Sequence, residues 1–348
     1  MSNQQFIIPI FIPHNGCPND CVFCNQRKIT GQASTYDYGK IEEEIKTALR
    51  TIPLKENPIV EIAFYGGSFT AINKVSQNML LSMAKEYIDQ YQLQGIRIST
   101  RPDYINEEIL KRLKKFGVKV IELGVQSLDE SVLKASNRGH ESNIVYKSTK
   151  LIKDYGFTLG IQLMIGLPGD NELKSMATVK KVIDMHPDIS RIYPTLVIKD
   201  TALEKMYNNG LYNPLSLQEA VELSKNMYHL LFTNGIQVIR IGLQPTKNIL
   251  EGEDVVAGPF HSAFRSLVMS SYIYDLIIKT IGDYKGEEIV FMLNNKDISY
   301  LVGDKKSNKR RITQKYNLKK FKIENNPEIE RGRIIIKLED DIKEIRFS

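Results

Sequence analysis

All three cysteines of the chain, Cys17, Cys21 and Cys24, lie within eight residues, and no other thiol occurs among the 348 residues. Clustered thiolates predict a metal chelator, because cysteines that only fill a core are scattered along a sequence. Four thiolates usually hold a [4Fe–4S] cube. Three would leave one iron open, and an open metal position can bind a substrate or cofactor. The alternative is a structural zinc site completed by His14.

Other polar and glycine-rich motifs follow predicted strands. They are Gly66-Gly67-Ser68, Thr100-Arg101-Pro102-Asp103, Gly124-Val125-Gln126, Asn137-Arg138-Gly139-His140, and Gln162 ahead of Gly166-Leu167-Pro168-Gly169. Paired glycines let a ligand approach the backbone closely, since no Cβ intervenes. A buried glutamine needs partners at both ends of its amide. Arg101 has a simpler reading as the partner of Asp103 in a structural turn.

The elements that must position these motifs alternate between apolar strands and amphipathic helices, from a strand at 6–13 to one at 189–197. Such alternation predicts parallel strands with right-handed crossovers. We expect an α/β protein whose six βα units form a partial (β/α)6 TIM-like barrel. Active sites of such barrels lie at the carboxyl ends of the strands, where the motifs fall.

The pattern changes in the last third of the chain. After a helix at 214–234 with Ser216 as N-cap, we expect a strand at 237–243 and a long helix from about 261 to 281. Short strands are then expected at 288–293, 298–302, 321–323 and 333–338. We therefore predict a barrel with a flanking strand at 1–245, a connecting loop and helix at 246–282, and a small, basic, strand-rich α+β appendage at 283–348.

Positive charge is concentrated near the end of the chain. Between Leu301 and Lys322 there are nine basic residues and one acidic residue, a local charge of +8 in a chain of net charge +6. This stretch, from Lys305 to Lys322, could attract a polyanion such as tRNA, and a solvated hairpin loop is the alternative. The sequence contains neither a recognisable leader nor a membrane-length apolar run, so we expect a cytoplasmic protein without membrane contact.

The cysteine spacing, with Phe23 just before the last cysteine, resembles the radical S-adenosylmethionine (SAM) superfamily. The resemblance implies a [4Fe–4S] cluster on Cys17, Cys21 and Cys24, with SAM on the fourth iron. An electron from a flavodoxin- or ferredoxin-class reductant would break SAM to a 5′-deoxyadenosyl radical. The resemblance also implies a set of residues that contact SAM, namely Phe23, Gly66, Gly67, Ser68, Thr100, Gln126, Arg138 and Gln162. Simple loop packing is the alternative for Phe23.

The order of the motifs is narrower than the superfamily and is similar to the radical SAM module of the Elongator catalytic subunit, a tRNA uridine-modifying enzyme. The similarity covers about 9–197, without a counterpart of that enzyme's acetyltransferase domain. It favours a radical SAM enzyme that modifies RNA. The alternatives are a small-molecule enzyme like the oxygen-independent coproporphyrinogen oxidases, and a zinc-stabilised RNA-binding protein without catalysis.

Three further basic residues lie outside this module. Arg240 ends a predicted strand, while His261 and Arg265 are spaced by one helical turn and would share a helix face. They could bind an anionic substrate, or His261 could cap a helix beside a surface arginine. Their roles, and the oligomeric state, are left open by the sequence.

Overall fold

The computed structural model describes residues 5–12, 17, 20–25, 36–56, 58–243 and 254–348. In chain order its strands are β1 Gln5–Ile12, β2 Ile59–Gly66, β3 Gly95–Thr100, β4 Val118–Gln126, β5 Thr158–Ile165, β6 Ile189–Pro194, β7 Val197–Ile198, β8 Gln237–Ile241, β9 Val255–Ala257, β10 Glu288–Leu293, β11 Lys320–Asn325, β12 Arg333–Lys337 and β13 Ile342–Arg346. Its α-helices are α1 Tyr38–Thr51, α2 Lys74–Tyr91, α3 Glu107–Lys115, α4 Glu130–Ala135, α5 Ser142–Asp154, α6 Glu172–Asp184, α7 Ala202–Asn208, α8 Leu217–Thr233, α9 Phe264–Ile281, α10 Ile298–Val302 and α11 Ser307–Lys315.

Seven parallel strands form a curled half-barrel in the order β1-β2-β3-β4-β5-β6-β8. The predicted α/β half-barrel is therefore confirmed, and the strand expected at 237–243 joins it as the seventh strand, at one edge. Parallel pairing in this order brings the carboxyl ends of the strands to one rim. Gly66, Thr100 and Gln126 each close a strand at that rim.

The two faces of the half-barrel differ in chemistry because strand side chains alternate between faces. One face carries fully buried aliphatic residues such as Ile62, Ile98 and Leu159, which pack against the helices. The opposite, inner face carries charged residues such as Glu61 and Glu122. Apolar burial on the helical side thus stabilises a sheet whose inner side is polar.

Polar caps start several of the connecting helices. Asn106, Asp129 and Asn171 each accept a hydrogen bond from a backbone N–H in the first turn of α3, α4 and α6. Ser216 and Glu219 form a complete capping box at the start of α8, as predicted for Ser216. Such caps satisfy amides that otherwise lack a partner at a helix start.

The C-terminal region is a mixed four-stranded sheet in the order β11-β10-β12-β13. The strand expected at 298–302 is wrong, because this segment is the short helix α10. A short apolar run has no clear period, and β10 already has strand neighbours on both sides, so no position beside β10 was available. The hairpin loop considered for the basic stretch is also incorrect for residues 307–315, which form α11.

The C-terminal region packs against the long helices α8 and α9, through α11 and the residues after β13. The side-chain amide of Asn308 donates to the carbonyl of Ser270 at 2.8 Å, and the phenol of Tyr228 donates to the carbonyl of Phe347. One continuous apolar core joins the half-barrel, α9 and this sheet. The boundary expected between 245 and 246 lies outside the described residues, so the division into three parts stays a prediction. Among the described helices, none combines the length and apolar character that a membrane crossing requires.

Candidate active site

The cysteine loop is fixed to the carboxyl rim of the half-barrel by backbone hydrogen bonds on two sides. The amide of Val22 donates to the carbonyl of Ser136 at 3.1 Å, and the amide of Leu203 donates to the carbonyl of Val22 at 2.8 Å. Within the loop, the amide of Cys24 donates to the carbonyl of Cys21 at 2.9 Å. The loop therefore bridges the end of α4 and the start of α7.

The Asn137-Arg138 pair contacts this loop through both of its side chains. Asn137 donates from its side-chain amide to the carbonyl of Asp20 at 2.9 Å. Arg138, which is 5% exposed, donates from Nη1 to the sulfur of Cys21 at 3.1 Å and from Nη2 to the carbonyl of Gly124. Arg138 thus joins the cysteine loop to the end of β4.

A second buried guanidinium lies beside the cysteines. Arg101 forms a two-pronged ion pair with Asp103, at 2.9 Å for each contact, and donates to the carbonyl of Arg138 at 2.6 Å. Burial alone would lower the pKa of Arg101, but Asp103 and the thiols of Cys17 and Cys21 raise it. The structural turn considered for Arg101 is therefore present, and it also places positive charge next to the thiols.

Several buried polar atoms around the loop have no hydrogen-bond partner among the described residues. They are Arg101 Nη1, Gln126 Oε1, Arg138 Nε and His140 Nε2. Gln126 is also held at φ +68°, a left-handed conformation that costs about 1 kcal/mol in a residue with a Cβ. Buried polar atoms in proteins are nearly always paired, so this group is suited to a polar ligand at the rim.

Four of the remaining predicted SAM-contacting residues lie at or just after the ends of β2 and β3. Ser68 and Thr100 are buried and share a hydrogen bond of 2.9 Å, and the Ser68 hydroxyl also accepts from the amide of Arg101 at 3.1 Å. Gly66 ends β2 at φ +101°, which favours glycine, and Gly67 beside it is buried. Their contacts to SAM stay predictions.

The last two predicted SAM-contacting residues, Phe23 and Gln162, lie apart from the Ser68–Thr100 pair. Phe23 is half-buried against the cluster of Val197, Leu203 and Tyr212, which agrees with packing of the loop. The amide of Gln162 donates to Ser99 Oγ at 3.2 Å and to Glu122 Oε2 at 3.1 Å. Gln162 therefore belongs to the inner face of the half-barrel.

A buried network on this inner face centres on Glu122, which is 1% exposed. Arg191 binds both carboxylate oxygens, at 2.6 and 2.8 Å, and Arg97 binds Oε1 at 3.0 Å. Arg97 also binds Glu61 through two nitrogens, at 2.6 and 3.1 Å. Burial alone would raise the pKa of Glu122, but Arg191 and then Arg97 hold it below its usual range.

The sequence interpretation did not single out this network. The sequence does contain an indication of it, because four apolar strands are each interrupted by a charged residue at an inner-face position. These residues are Glu61, Arg97, Glu122 and Arg191. Gly160 provides the space, because a Cβ there would lie 2.8 Å from Cγ of Glu122. Two acids and two arginines give the network no net charge.

The roles left open for Arg240, His261 and Arg265 are partly resolved. The helix begins at Phe264, so His261 lies before it and the expected shared helix face is wrong. His261 Nδ1 accepts from the amide of Ala263 at 3.1 Å, but Ala263 is itself the N-cap and has no side-chain cap hydrogen bond, so the capping role considered for His261 is wrong. Arg265 donates to the carbonyl of Val238 at 3.3 Å.

The three cysteines are not joined by disulfides. Within the described ranges, no three His, Cys, Asp or Glu side chains converge closely enough to hold one metal ion. Cluster ligation by Cys17, Cys21 and Cys24 therefore stays a prediction. His14, the fourth ligand of the zinc alternative, lies outside the described residues.

Comparison with known proteins identifies the class. The sequence profile of the Radical SAM superfamily matches residues 11–182, and that of the Radical_SAM C-terminal domain matches residues 187–273. The chain belongs to the radical SAM superfamily and is an enzyme of that class. Within the superfamily it is homologous to the tRNA uridine(34) acetyltransferases and to Elongator complex protein 3.

The similarity to individual proteins is partial. The tRNA uridine(34) acetyltransferase of Methanocaldococcus infernus is 38% identical over 129 residues, 36% of this chain and 24% of that protein. An uncharacterized protein of Methanocaldococcus jannaschii is 30% identical over 233 residues, 63% of this chain and 69% of that protein. The structure of M. infernus Elp3 with an N-terminal deletion superposes with a TM-score of 0.61 at 22% identity, covering 80% of this chain and 63% of that one. The matched part of the chain thus spans only 24% of the length of the M. infernus acetyltransferase, and 50% of the length of the tRNA uridine(34) acetyltransferase of Dehalococcoides mccartyi.

We predict that Glu122→Gln lowers the free energy of unfolding by about 3–5 kcal/mol, because two buried guanidiniums lose their shared counter-charge. Urea unfolding monitored by circular dichroism measures this. Glu43→Gln is the matched control, since Glu43 lies in an exposed ion pair with Lys46, and such pairs contribute little to stability. Equal losses in the two variants would contradict the account.

We predict that His140 makes the fold sensitive to acid. Burial, with the charge of Arg138, lowers the pKa of His140 to about 4 from its usual 6.5. The unfolded chain therefore takes up this proton first, and the free energy of unfolding falls as pH drops from 6.5 towards 4. His140→Asn should show a shallower fall over that range in urea titrations. Identical pH dependence of the two proteins would contradict the prediction.

Proposed function

We propose that the chain holds a [4Fe–4S] cluster on Cys17, Cys21 and Cys24, binds SAM at the open iron, and uses this pair to modify RNA, with tRNA as the substrate class. The observation that carries the proposal is the group of unpaired buried polar atoms beside the cysteine loop. Arg138 Nε and Gln126 Oε1 together offer one donor and one acceptor there. A ligand with carboxylate and amino groups, such as the methionyl part of SAM, matches that pair.

The residues of the chain would divide the work. The thiols would ligate three irons, and a reduced cluster with bound SAM supplies one-electron cleavage of the sulfonium. Arg138 donates a hydrogen bond to Cys21 Sγ at 3.1 Å. Donors to a cluster ligand tune its reduction potential, so Arg138 would help a flavodoxin- or ferredoxin-class partner reduce the cluster. Arg101 adds positive charge that favours the SAM carboxylate at the same rim.

The RNA part of the proposal is supported by the basic stretch and by the relatives. Six of its nine basic residues have no ion pair in the described part of the chain: Lys305, Lys306, Lys309, Arg310, Arg311 and Lys315. They lie on α11 and the turn before it. The other three pair with Glu287 or Glu288. The uncompensated, exposed side chains of α11 suit a phosphate backbone.

Anaerobic reconstitution with iron and sulfide tests the cluster. We predict about four irons per chain in the wild type and loss of most of this iron in Cys21→Ala. Met79→Ala is the control, since it removes the sulfur of a residue on α2 that is 47% exposed. Circular dichroism should show a folded half-barrel in both variants. A Cys21→Ala variant that retains full iron and sulfide would contradict the proposal, as would a wild type that binds zinc alone.

A neutralising pair on α11 tests the RNA contact. We predict that Lys309→Gln with Arg310→Gln weakens tRNA binding and flattens the salt dependence by about 0.9 per lost phosphate contact. Arg311 is retained, because its guanidinium lies 3.6 Å from the centre of the Tyr274 ring and supports packing.

Lys319→Gln with Lys320→Gln is the matched control for this pair. These lysines already pair with Glu287 and Glu288 on the neighbouring strand, so a smaller loss is expected. Filter binding over a salt series measures both pairs. Equal effects would place the RNA contact elsewhere, and absence of tRNA binding by the wild type at low salt would contradict the RNA substrate.

A further inference from the structure

A cavity of about 350 Å³ lies at the free edge of the half-barrel, next to β8. It is lined by residues 239–243, which include the end of β8, and by residues 262–265, which lead into α9. Two of these residues are arginines, Arg240 and Arg265, and none is acidic. Arg240 is the next-to-last residue of its strand. The cavity therefore opens near the same rim as the cysteine loop, where barrel enzymes bind substrates.

Arg240 differs from the two other inner-face arginines in its charge balance. Arg97 and Arg191 each contact Glu122 within 3.0 Å. Arg240 forms no hydrogen bond or ion pair with any described residue, and its Nε is buried without a partner. A partly buried cation without a counter-charge is unfavourable, and an anionic ligand would remove that cost.

The surroundings of Arg240 also favour an anion. In the pairing of β8 with β6, Arg240 lies opposite Arg191, whose own charge is already balanced by Glu122, so Arg240 gains no counter-charge from this neighbour. Arg265, in the first turn of α9, uses one nitrogen for the carbonyl of Val238, which leaves its remaining donors available to the cavity. The first turn of the 18-residue helix α9 adds the positive end of its dipole.

We infer that this cavity binds a phosphodiester of the RNA substrate, and that Arg240 makes the contact that brings the RNA to the rim of the half-barrel. The identity of the ligand rests on the proposed RNA function. A guanidinium presents paired donors that match phosphate oxygens, and the described lining residues include no carboxylate that would compete for it. This contact is separate from α11, which belongs to the C-terminal region. The RNA would therefore touch two distinct surfaces.

Binding of unfractionated tRNA to the full chain over a salt series tests the inference. Arg240→Gln should weaken binding on the order of tenfold at low salt and flatten the salt dependence by about one. Arg240→Lys should recover part of the affinity, because it restores the charge without the paired donors. Arg50→Gln is the matched control, since Arg50 is exposed on α1 and its loss should change neither quantity.

Thermal unfolding separates ligand binding from a structural role. Because Arg240 has no partner among the described residues, Arg240→Gln should leave the melting temperature unchanged or raise it, whereas Arg191→Gln should lower it. Affinity that matches the Arg50→Gln control, or a melting temperature that falls as far as in Arg191→Gln, overturns the inference while the proposed function stands. A wild type that binds no tRNA overturns both.

Discussion

The half-barrel depends on the compensation of charge around Glu122. Its carboxylate lies between Arg97 and Arg191, and Glu61 supplies the second negative charge. These contacts tie β2, β3, β4 and β6 together on the inner face, where apolar packing against helices is not available. Each guanidinium is oriented by two or more hydrogen bonds. Burial of four charges is tolerable only because they satisfy one another.

Charge at the rim follows a different rule. Arg138 has no carboxylate partner among the described residues and instead donates to the backbone carbonyl of Gly124 and to the sulfur of Cys21. Arg101 has one, Asp103, yet it also lies close to Cys17 and Cys21. Under the proposed function, the balanced interior and the positive rim would together orient an anionic ligand towards the cysteine loop. At the open edge, Arg191 is likewise paired with a carboxylate, whereas Arg240 has none among the described residues. Both proposed binding regions therefore have an arginine whose positive charge is available to an anionic ligand.

The sequence was sufficient for the barrel because its strands are mainly apolar runs bounded by turns, even where an inner-face charge interrupts them. The strand at Glu288–Leu293 was predicted with both of its ends, and Ser216 was predicted as a cap. The strand predicted at Ile298–Val302 is a helix, because five residues are too few to show a period and β10 already has a strand on each side. Motifs at strand ends indicated which residues meet at the rim. Pairings such as Arg138 with Cys21 depend on loops that join across 117 residues, and local pattern does not encode them.

The central claim is that three thiols at a positively charged rim prepare the chain to cleave SAM. The most direct measurement is the formation of 5′-deoxyadenosine by anaerobically reconstituted protein, supplied with SAM and dithionite and followed by chromatography. The account predicts 5′-deoxyadenosine that depends on protein, SAM and reductant together. Protein that carries a complete reduced cluster and binds SAM, yet yields no 5′-deoxyadenosine with or without RNA, would contradict it.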